Sequence, residues 1–304
     1  MSWRIVHIKE GNRLSLKLTN IEVVKNGESI YIPLQDISII ILEGQRTTIT
    51  TRLLAKLSEY NIALITCNIK YEPIGIYLPL YKYHRMAKRH QMQIAVPKLF
   101  QEIMWSEIIQ QKLDNQYQHL QYWDIAEEDV LSTIEKHKSE IALGDRTNKE
   151  AIVAKLYFNA LFYKNFTRED ENGINAGLNF GYTILRTALA RLVIANGLIP
   201  CLGIHHCNEY NEFNLVDDLI EPFRPFVDYY VQKEIVREDV RYLNYEHRLA
   251  IIDLLNQPMR YKSKICTLHE VMQKYVASFV KSLELRDEKQ LIKISLDDFI
   301  SLEE

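Results

Sequence analysis

NAGLNFGYTILRTALARLVIANGLIP, residues 175–200, is apolar over most of the circumference of a helix. This pattern is typical of a helix that is buried on all sides, whereas a surface helix has a single apolar stripe. Glycine at Gly197, followed by Pro200, is the combination that commonly ends helices. The sequence therefore predicts a central buried helix that ends near Gly197, within a helical domain.

Helical spacing also covers much of the chain on both sides of this segment. Apolar residues recur three and four apart in KLFQEIMWSEIIQQKLDNQYQHLQYW, residues 98–123, and in EAIVAKLYFNALFYKNF, residues 150–166. RYKSKICTLHEVMQKYVASFVKSLELRDEKQ, residues 260–290, is predicted as an amphipathic helix with a solvated flank. We predict an α-helical domain over residues 93–304. One face of the first segment is predicted to carry Leu99, Ile103, Ile108 and Leu113.

The first 80 residues have a different pattern, in which short runs rich in Ile, Val and Tyr are separated by turn residues. RLSLKL and SIYIP alternate with a period of two, and Asn26-Gly27 is a strong hairpin signal. Only TRLLAKLSEYN, residues 51–61, has helical spacing here. We predict an α+β fold class, with an N-terminal mostly β domain over residues 1–80 followed by a larger all-α domain.

Composition and charge exclude several classes of protein. The 304 residues include 37 Lys and Arg against 40 Asp and Glu, so any polyanionic partner must bind at local clusters. We expect a cytoplasmic protein without a membrane partner, because the N-terminal residues lack a signal-peptide pattern and no apolar run has the length of a membrane span. The four cysteines include no C-x-x-C pair, which argues against a disulfide framework or a zinc ribbon.

The densest basic segment lies between the two predicted domains, at residues 81–92. Its cations are Lys82, Arg85, Lys88 and Arg89. One interpretation is an ordinary solvated linker or helix start. The other is a strip that contacts phosphates, with interleaved tyrosines that stack or form hydrogen bonds.

HHCNEYNEFNLVDDLIEPFRP, residues 205–225, concentrates two histidines and five carboxylates. A helix that begins near Asn211 or Asn214 would place Asp217 and Asp218 four and three residues before Glu221. Carboxylates this close repel one another, and a divalent ion would offset the repulsion. Oxygen ligands with one imidazole favour Mg²⁺ or Mn²⁺.

Other interpretations of this stretch remain open. Glu221 and its neighbours could form a structural salt-bridge cluster with Arg224. Pro222 is predicted to disrupt the helix and so to fix the direction of the Glu221 carboxylate. A zinc site can also be imagined, but its spacing matches no common zinc motif. Its ligands would be Cys201, His205, His206 and Cys207.

A further carboxylate, Glu150, falls in the predicted first turn of the helix in GDRTNKEAIVAKLYFNALF. Asp145 or Asn148 can cap this helix. Taken alone, Glu150 is an acid that favours the helix dipole. A functional role requires a partner elsewhere in the chain.

Three separated segments resemble, in order, the helical domain of the CRISPR-associated protein one family, the integrase that inserts new spacers into CRISPR arrays. They are DRTNKEAIVAKLYF, NAGLNFGYTILRTALARLVIANGLIPCLGIHH and NLVDDLIEPFRPFVD. The resemblance spans essentially the whole chain, including the β domain and the element RHQ at Arg89–Gln91. The wording DLIEPFRP looks most like members from type II systems.

This resemblance implies a divalent ion, Mg²⁺ or Mn²⁺, held by Glu150, His206 and Glu221. Counting from Gly203 in the family's G-x-x-H element selects His206 over its neighbour His205. Asp218 is implied as an accessory acidic group. Asp217 departs from the family pattern locally and leaves the accessory roles open.

The resemblance also implies the reaction and the partners. The activity would be metal-dependent DNA integration, in which a 3′-hydroxyl attacks a phosphodiester bond, together with DNA endonuclease activity. The expected partners are double-stranded DNA, a second copy of the chain in a homodimer, and CRISPR-associated protein two. The N-terminal domain would serve dimerisation and partner contacts, and the residues at 81–92 would bind DNA. The alternative is a non-catalytic DNA-binding scaffold subunit.

Overall fold

The computed structural model describes residues 4–9, 13–79, 83–236 and 242–302. The predicted order, a β region followed by helices, is confirmed. The chain forms two compact units, residues 1–89 with 187–198 and residues 90–186 with 199–304. The boundary at residue 89 falls inside the predicted basic linker, whereas the return of residues 187–198 to the first unit has no counterpart in the predicted division.

Within its described residues, the first unit contains two four-stranded sheets, with strand orders β1-β5-β7-β8 and β4-β3-β2-β6. In the first sheet β1, β5 and β7 are parallel and β8 is antiparallel. In the second, β2, β3 and β4 form an antiparallel meander. The elements are β1 (Arg4–Ile8), β2 (Arg13–Lys17), β3 (Asn20–Lys25), β4 (Glu28–Pro33), β5 (Ile37–Leu42), β6 (Thr48–Ile49), helix α1 (Thr51–Glu59), β7 (Ala63–Cys67) and β8 (Pro73–Tyr77).

The sequence pattern explains these strands. All six residues of β5 are buried, which agrees with its continuous apolar run ISIIIL. The predicted Asn26-Gly27 turn joins β3 to β4, and both residues have the positive φ that this hairpin turn requires. Leu53 and Leu57 of α1 are fully buried in the same apolar cluster as the strands.

The rest of the described chain is mostly helical. One two-stranded hairpin, β9 paired with β10, interrupts the helices. The described helices longer than one 3-10 turn are α2 (Met86–Ile94), α3 (Lys98–Trp123), α4 (Glu128–Ser139), α5 (Lys149–Leu161), α6 (Gly173–Ala195), α7 (Asn214–Ile220), α8 (Arg224–Glu234), α9 (Tyr245–Asp253), α10 (Leu268–Leu285) and α11 (Asp297–Ile300), and the hairpin strands are β9 (Pro258–Tyr261) and β10 (Lys264–Thr267). None of the helices in these described stretches is long and apolar enough to cross a membrane.

Helix α6 is the predicted buried helix. Of its residues only Asn179 is exposed, and the helix ends at Ala195. Gly197, with φ of 74°, donates its N–H to the Ile194 carbonyl, and Leu198 donates to the Val193 carbonyl. This is the glycine-dependent helix ending that the sequence predicted.

The described structure corrects two details of the predicted helices. Leu99 is exposed, so the buried face of α3 differs from the predicted stripe, although Ile108 and Leu113 are buried as predicted. The first part of the segment 260–290 is the β9–β10 hairpin, and its helix α10 begins only after the Thr267 cap.

Candidate active site

Glu150 and Glu221, predicted from separate segments, meet at one lysine. The Lys112 ammonium group contacts Glu150 Oε1, and its Nζ lies 2.5 Å from Glu221 Oε2. Arg224 Nε donates to the other oxygen, Glu221 Oε1, at 2.8 Å. The two carboxylates therefore share one ammonium group. The ion pair with Arg224, which was the alternative interpretation of Glu221, is also present.

The start of α5 positions Glu150. Asp145, one of the two predicted caps, accepts hydrogen bonds from the backbone N–H groups of Lys149 at 2.8 Å and Glu150 at 3.0 Å. Asn148 makes no side-chain cap; it has a left-handed backbone with φ of 51°. Glu150 thus lies in the first turn, as predicted, where the helix dipole favours a negative charge.

The α-helix is interrupted at Glu221, as the sequence predicted from Pro222. The residues Glu221–Phe223 form a 3-10 turn between α7 and α8, and Glu221 keeps helical backbone angles. Proline fits here because it lies within the first turn, where its missing N–H would have no helical acceptor. Asn115 of α3 donates to the Pro222 carbonyl at 2.8 Å and holds the turn against that helix.

Asp218 fixes His206 and the loop before it. Asp218 Oδ1 accepts hydrogen bonds from His206 Nδ1 at 2.7 Å and from the His206 backbone N–H at 3.0 Å. Its Oδ2 accepts from the backbone N–H of Ile204 at 2.6 Å. A β-carbon at Gly203 would lie 2.7 Å from that Oδ2 and 2.3 Å from the His206 carbonyl oxygen, so the turn requires glycine.

The two histidines have different environments. The His205 ring stacks on Trp105 with 4.1 Å between centroids and an interplanar angle of 3°. His206 instead gives Nδ1 to Asp218, which leaves Nε2 as the ring nitrogen for another ligand. A carboxylate on one nitrogen is the usual support for a histidine that binds a metal through the other. The geometry thus favours His206, in agreement with the count from Gly203.

Neighbouring charges and hydrogen bonds within the site shift the pKa values of its ionisable side chains. Burial alone would raise the pKa of Glu221, but Arg224 and Lys112 outweigh this effect and lower it to about 2. Burial likewise acts to lower the pKa of Lys112, and the charges of Glu221 and Glu150 raise it overall. The hydrogen bond that His206 donates to Asp218 raises the pKa of His206. Glu221 is therefore ionised at neutral pH and needs to lose no proton to bind a cation.

The ligand types of Glu150, His206 and Glu221 are those that a hard divalent ion prefers. Two carboxylates and one imidazole suit Mg²⁺ or Mn²⁺, and the Lys112 ammonium stands between Glu150 and Glu221 as a cation already held by both. Within the described part of the chain, no three His, Cys, Asp or Glu side chains are gathered closely enough to hold a metal. The imagined zinc ligands, all of them described, likewise do not gather around a common point, and Cys201 and Cys207 are exposed.

A cavity of about 300 Å³, which was not expected from the sequence, is lined by Arg224, the arginine that pairs with Glu221. Three arginines line it, namely Arg168, Arg186 and Arg224. Of the lining residues that the structure describes, Asp217 alone is acidic, and it forms a bidentate pair with Arg186 at 2.6 and 2.7 Å. Arg168 donates to two neutral amides, Asn175 and Asn179. The cavity wall thus carries excess positive charge.

The predicted basic segment is described from Tyr83 onward, and Lys82 lies outside the described residues. Arg85 and Lys88 are exposed. Arg89 is half-buried, donates to the Tyr83 hydroxyl at 2.7 Å and lies over its ring. A DNA-binding role for this segment stays a prediction.

A buried polar chain lies next to Arg224. Asp228 accepts hydrogen bonds from the hydroxyls of Tyr157, at 3.0 Å, and Tyr182, and the Tyr157 oxygen is 2.6 Å from His119 Nδ1. Burial lowers the pKa of His119 to about 3, so its ring is neutral. Burial also raises the pKa of Asp228 from 3.8 to about 6, although both tyrosines act against this shift. Arg224 stacks over the Tyr182 ring at 4.7 Å.

We expect Asp228 to make stability depend on pH in a direction opposite to that of a salt-bridged acid. A raised pKa means that the folded state binds the proton more tightly, so the stabilisation is complete below pH 3.8 and is lost as the pH rises through about 6. Relative to Asp228→Asn, the wild-type free energy of unfolding should fall by about 3 kcal/mol between these values. Urea unfolding at pH 4, 5, 6 and 7 measures the difference. A difference that is constant with pH would contradict the assignment.

The amino-acid sequence of the chain is similar to that of known proteins. A family model described as CRISPR associated protein Cas1 matches residues 5–262. The CRISPR-associated endonuclease Cas1 of Neisseria meningitidis serogroup C (strain 8013) is 40% identical over 232 residues, which are 75% of this chain and 74% of that protein.

Solved structures extend the comparison to the fold. A chain of a Cas6-RT-Cas1–Cas2 complex is similar with a TM-score of 0.75 and 18% identity, over 96% of this chain and 36% of that one. This chain therefore spans about a third of that longer protein. A casposase bound to integration product is similar with a TM-score of 0.73 and 17% identity, over 94% of this chain and 91% of that one. At these identities the likeness establishes the fold alone.

Proposed function

Because this chain belongs to the Cas1 family of CRISPR-associated proteins, we propose that it is a metal-dependent DNA endonuclease and integrase of CRISPR adaptation. The observation that carries the proposal is the meeting of Glu150 and Glu221 on one cation, with His206 fixed by Asp218. The charge of Glu221 also contributes to the raised pKa of His206, so these groups act on one another. The names of the endonuclease relative and of the casposase structure support this reaction class.

Glu150, His206 and Glu221 would hold the Mg²⁺ or Mn²⁺ ion. When bound, such an ion neutralises charge on the attacked phosphate and lowers the pKa of the attacking hydroxyl. Asp218 keeps the His206 ring in the tautomer with Nε2 available, and Arg224 keeps Glu221 ionised and oriented. Because the attacking group would be a DNA 3′-hydroxyl, the chain needs no serine or cysteine nucleophile. With water in place of that hydroxyl, the same site would cut DNA.

The proposed substrate is double-stranded DNA, both the spacer precursor and the CRISPR repeat. The arginine-lined cavity, whose wall includes the Arg224 that pairs with Glu221, supports a phosphodiester substrate, because guanidinium groups bind phosphate oxygens with two hydrogen bonds. We propose a homodimer that works with CRISPR-associated protein two, and the Cas1–Cas2 complex among similar structures supports that partner. Membership of a type II system stays a prediction.

The test is a joining assay with the purified chain, with and without CRISPR-associated protein two. A duplex with free 3′-hydroxyls and a repeat-containing plasmid are incubated with Mn²⁺ or Mg²⁺. Joined products should form with either ion, and they should disappear with EDTA or with dideoxy 3′ ends. The other hypothesis, a non-catalytic scaffold, predicts DNA binding without joining under every condition.

We expect Arg168→Ala to weaken DNA binding by a similar factor for all sequences. A phosphate contact carries no base information, and its loss should lower the slope of log K against log salt concentration by about 1. Fluorescence anisotropy at several salt concentrations measures this slope. Lys136→Ala, which removes an exposed cation of α4, is the matched control. An unchanged slope for Arg168→Ala would exclude a phosphate contact by Arg168.

A further inference from the structure

We propose that Lys112 is a built-in cation that holds Glu150 and Glu221 together in the metal-free protein and competes with the divalent ion for them. This inference rests on the proposed function, since it assigns both carboxylates to the metal. It goes further by assigning to Lys112 an effect on the affinity of the site for its metal ion. Lys112 would be a positioning residue.

The contacts define the competition. The ammonium group reaches one oxygen of each carboxylate, Glu150 Oε1 and Glu221 Oε2, although these residues come from the first turn of α5 and the 3-10 turn after α7. An ion that binds both carboxylates needs the space or the oxygens that the ammonium group now uses. Arg224 bonds Glu221 Oε1 instead, so it can stay in place when Lys112 leaves.

Burial makes this cation different from a surface lysine. The Lys112 side chain is 7% exposed and that of Glu221 is 6% exposed, whereas that of Glu150 is 28% exposed. Two carboxylates this close in a poorly hydrated site repel each other strongly unless a cation separates them. Lys112 supplies that cation when no metal is bound. The more open side at Glu150 gives a divalent ion a route from solvent.

Helix α3, which carries Lys112, is anchored to the turn that bears Glu221. Asn115 donates to the Pro222 carbonyl at 2.8 Å and accepts from the Leu296 N–H at 2.9 Å. The backbone of α3 is therefore tied to the turn that bears Glu221. Exchange with a metal would therefore proceed by rotation of the flexible four-carbon stem of Lys112, with the backbone of α3 in place.

The charges of the four side chains predict how removal of Lys112 should change the affinity for a metal ion. Lys112 and Arg224 together balance Glu150 and Glu221, so a divalent ion enters a cluster without net negative charge. Removal of the ammonium charge leaves one uncompensated carboxylate, and a cation should then bind more tightly. In the absence of metal the same change should destabilise the protein.

The experiment compares Mn²⁺ binding by calorimetry for the wild type, Lys112→Met and Lys112→Arg. We expect the dissociation constant of Lys112→Met to fall at least tenfold and its melting temperature in EDTA to fall, with Mn²⁺ restoring it. Lys112→Arg keeps the charge and should bind as the wild type does, within threefold. Lys138→Met removes a lysine paired with Asp114 and Glu135 and should change nothing, which makes it the matched control.

The outcomes separate this inference from the proposed function. If Glu150→Gln leaves Mn²⁺ binding unchanged, the metal site itself is wrong. If Glu150→Gln weakens binding but Lys112→Met binds Mn²⁺ equally or more weakly than the wild type, only the role of Lys112 is wrong. Should Lys112→Met fail to fold, NMR of ¹³C-labelled lysines in the wild type replaces it. The Lys112 signal should then shift on adding Mg²⁺, and a signal that stays in place would overturn the inference.

Discussion

The Glu150→Gln variant is expected to join DNA ends at least about 10³-fold more slowly than the wild type, because the amide removes a charged oxygen ligand that a divalent ion needs. Its fold should persist. Glu150 is partly exposed, glutamine has the same shape, and Lys112 keeps Glu221 as a partner. The loss of one partly exposed charge pair should cost about 1 kcal/mol or less. His206→Ala should lose joining to a similar extent.

The matched control for this result is Glu209→Gln, which removes an exposed acid from the stretch 205–225 that contains His206 and Glu221. Joining is measured as initial rate with the repeat-containing plasmid, and the fold is measured by thermal unfolding. Undiminished joining by Glu150→Gln and His206→Ala would remove both residues from the metal site. Equal loss in Glu209→Gln would instead indicate a general effect of charge on DNA binding.

The sequence predicts the fold wherever an element carries its own pattern. The run ISIIIL, the Asn26-Gly27 turn and the buried helix ending near Gly197 all have unambiguous signals, and all three are confirmed. The β9–β10 hairpin was missed because its turn has Lys262 at φ of 55°, where Asn or Gly would have marked it. The short strand β6 has only two residues, too few for any periodicity.

In the candidate site too, residues that stand in motifs can be predicted from the sequence, whereas an isolated residue cannot. Glu150, His206, Asp218 and Glu221 stand in motifs and were named from the sequence, and the structure brings Glu150 to Glu221 and Asp218 to His206. Lys112 was missed because one lysine among the polar residues of a helix is usually solvated. A signal was present, since Ile108, Lys112, Asn115 and His119 follow helical spacing on one buried stripe. Only tertiary contacts show which buried polar residue faces the carboxylates.

Glu221→Ala is expected to lower the free energy of unfolding at neutral pH by about 3–5 kcal/mol, the usual cost of removing one partner from a buried ion pair. The carboxylate lies between Lys112 and Arg224, so its loss leaves two cations with one fewer partner. Glu150 still pairs with Lys112, but Arg224 retains only its contact with the Tyr182 ring among the charge contacts described above. Urea unfolding at pH 7 measures the change.

Asp217→Ala is the internal control, because Asp217 also pairs with an arginine but its side chain is 17% exposed against 6% for Glu221. Its loss should cost about 1 kcal/mol, as expected for a more hydrated pair. The double variant Lys112→Met with Glu221→Leu should recover part of the stability, since it replaces a buried pair by apolar groups. A loss in Glu221→Ala no larger than that in Asp217→Ala would show that the buried charges are not stabilising one another.

The dependence on pH distinguishes charge pairing from a simple cavity left by the smaller side chain. The pKa of Glu221 is lowered from 4.5 to about 2, so its stabilisation is complete above pH 4.5 and is lost as the pH falls through about 2. The difference between the wild type and Glu221→Ala should therefore shrink by about 3 kcal/mol across this range. A cavity would cost the same at every pH. A difference that persists unchanged at pH 2 would thus assign the effect to packing and leave Lys112 and Arg224 without an electrostatic role at this site.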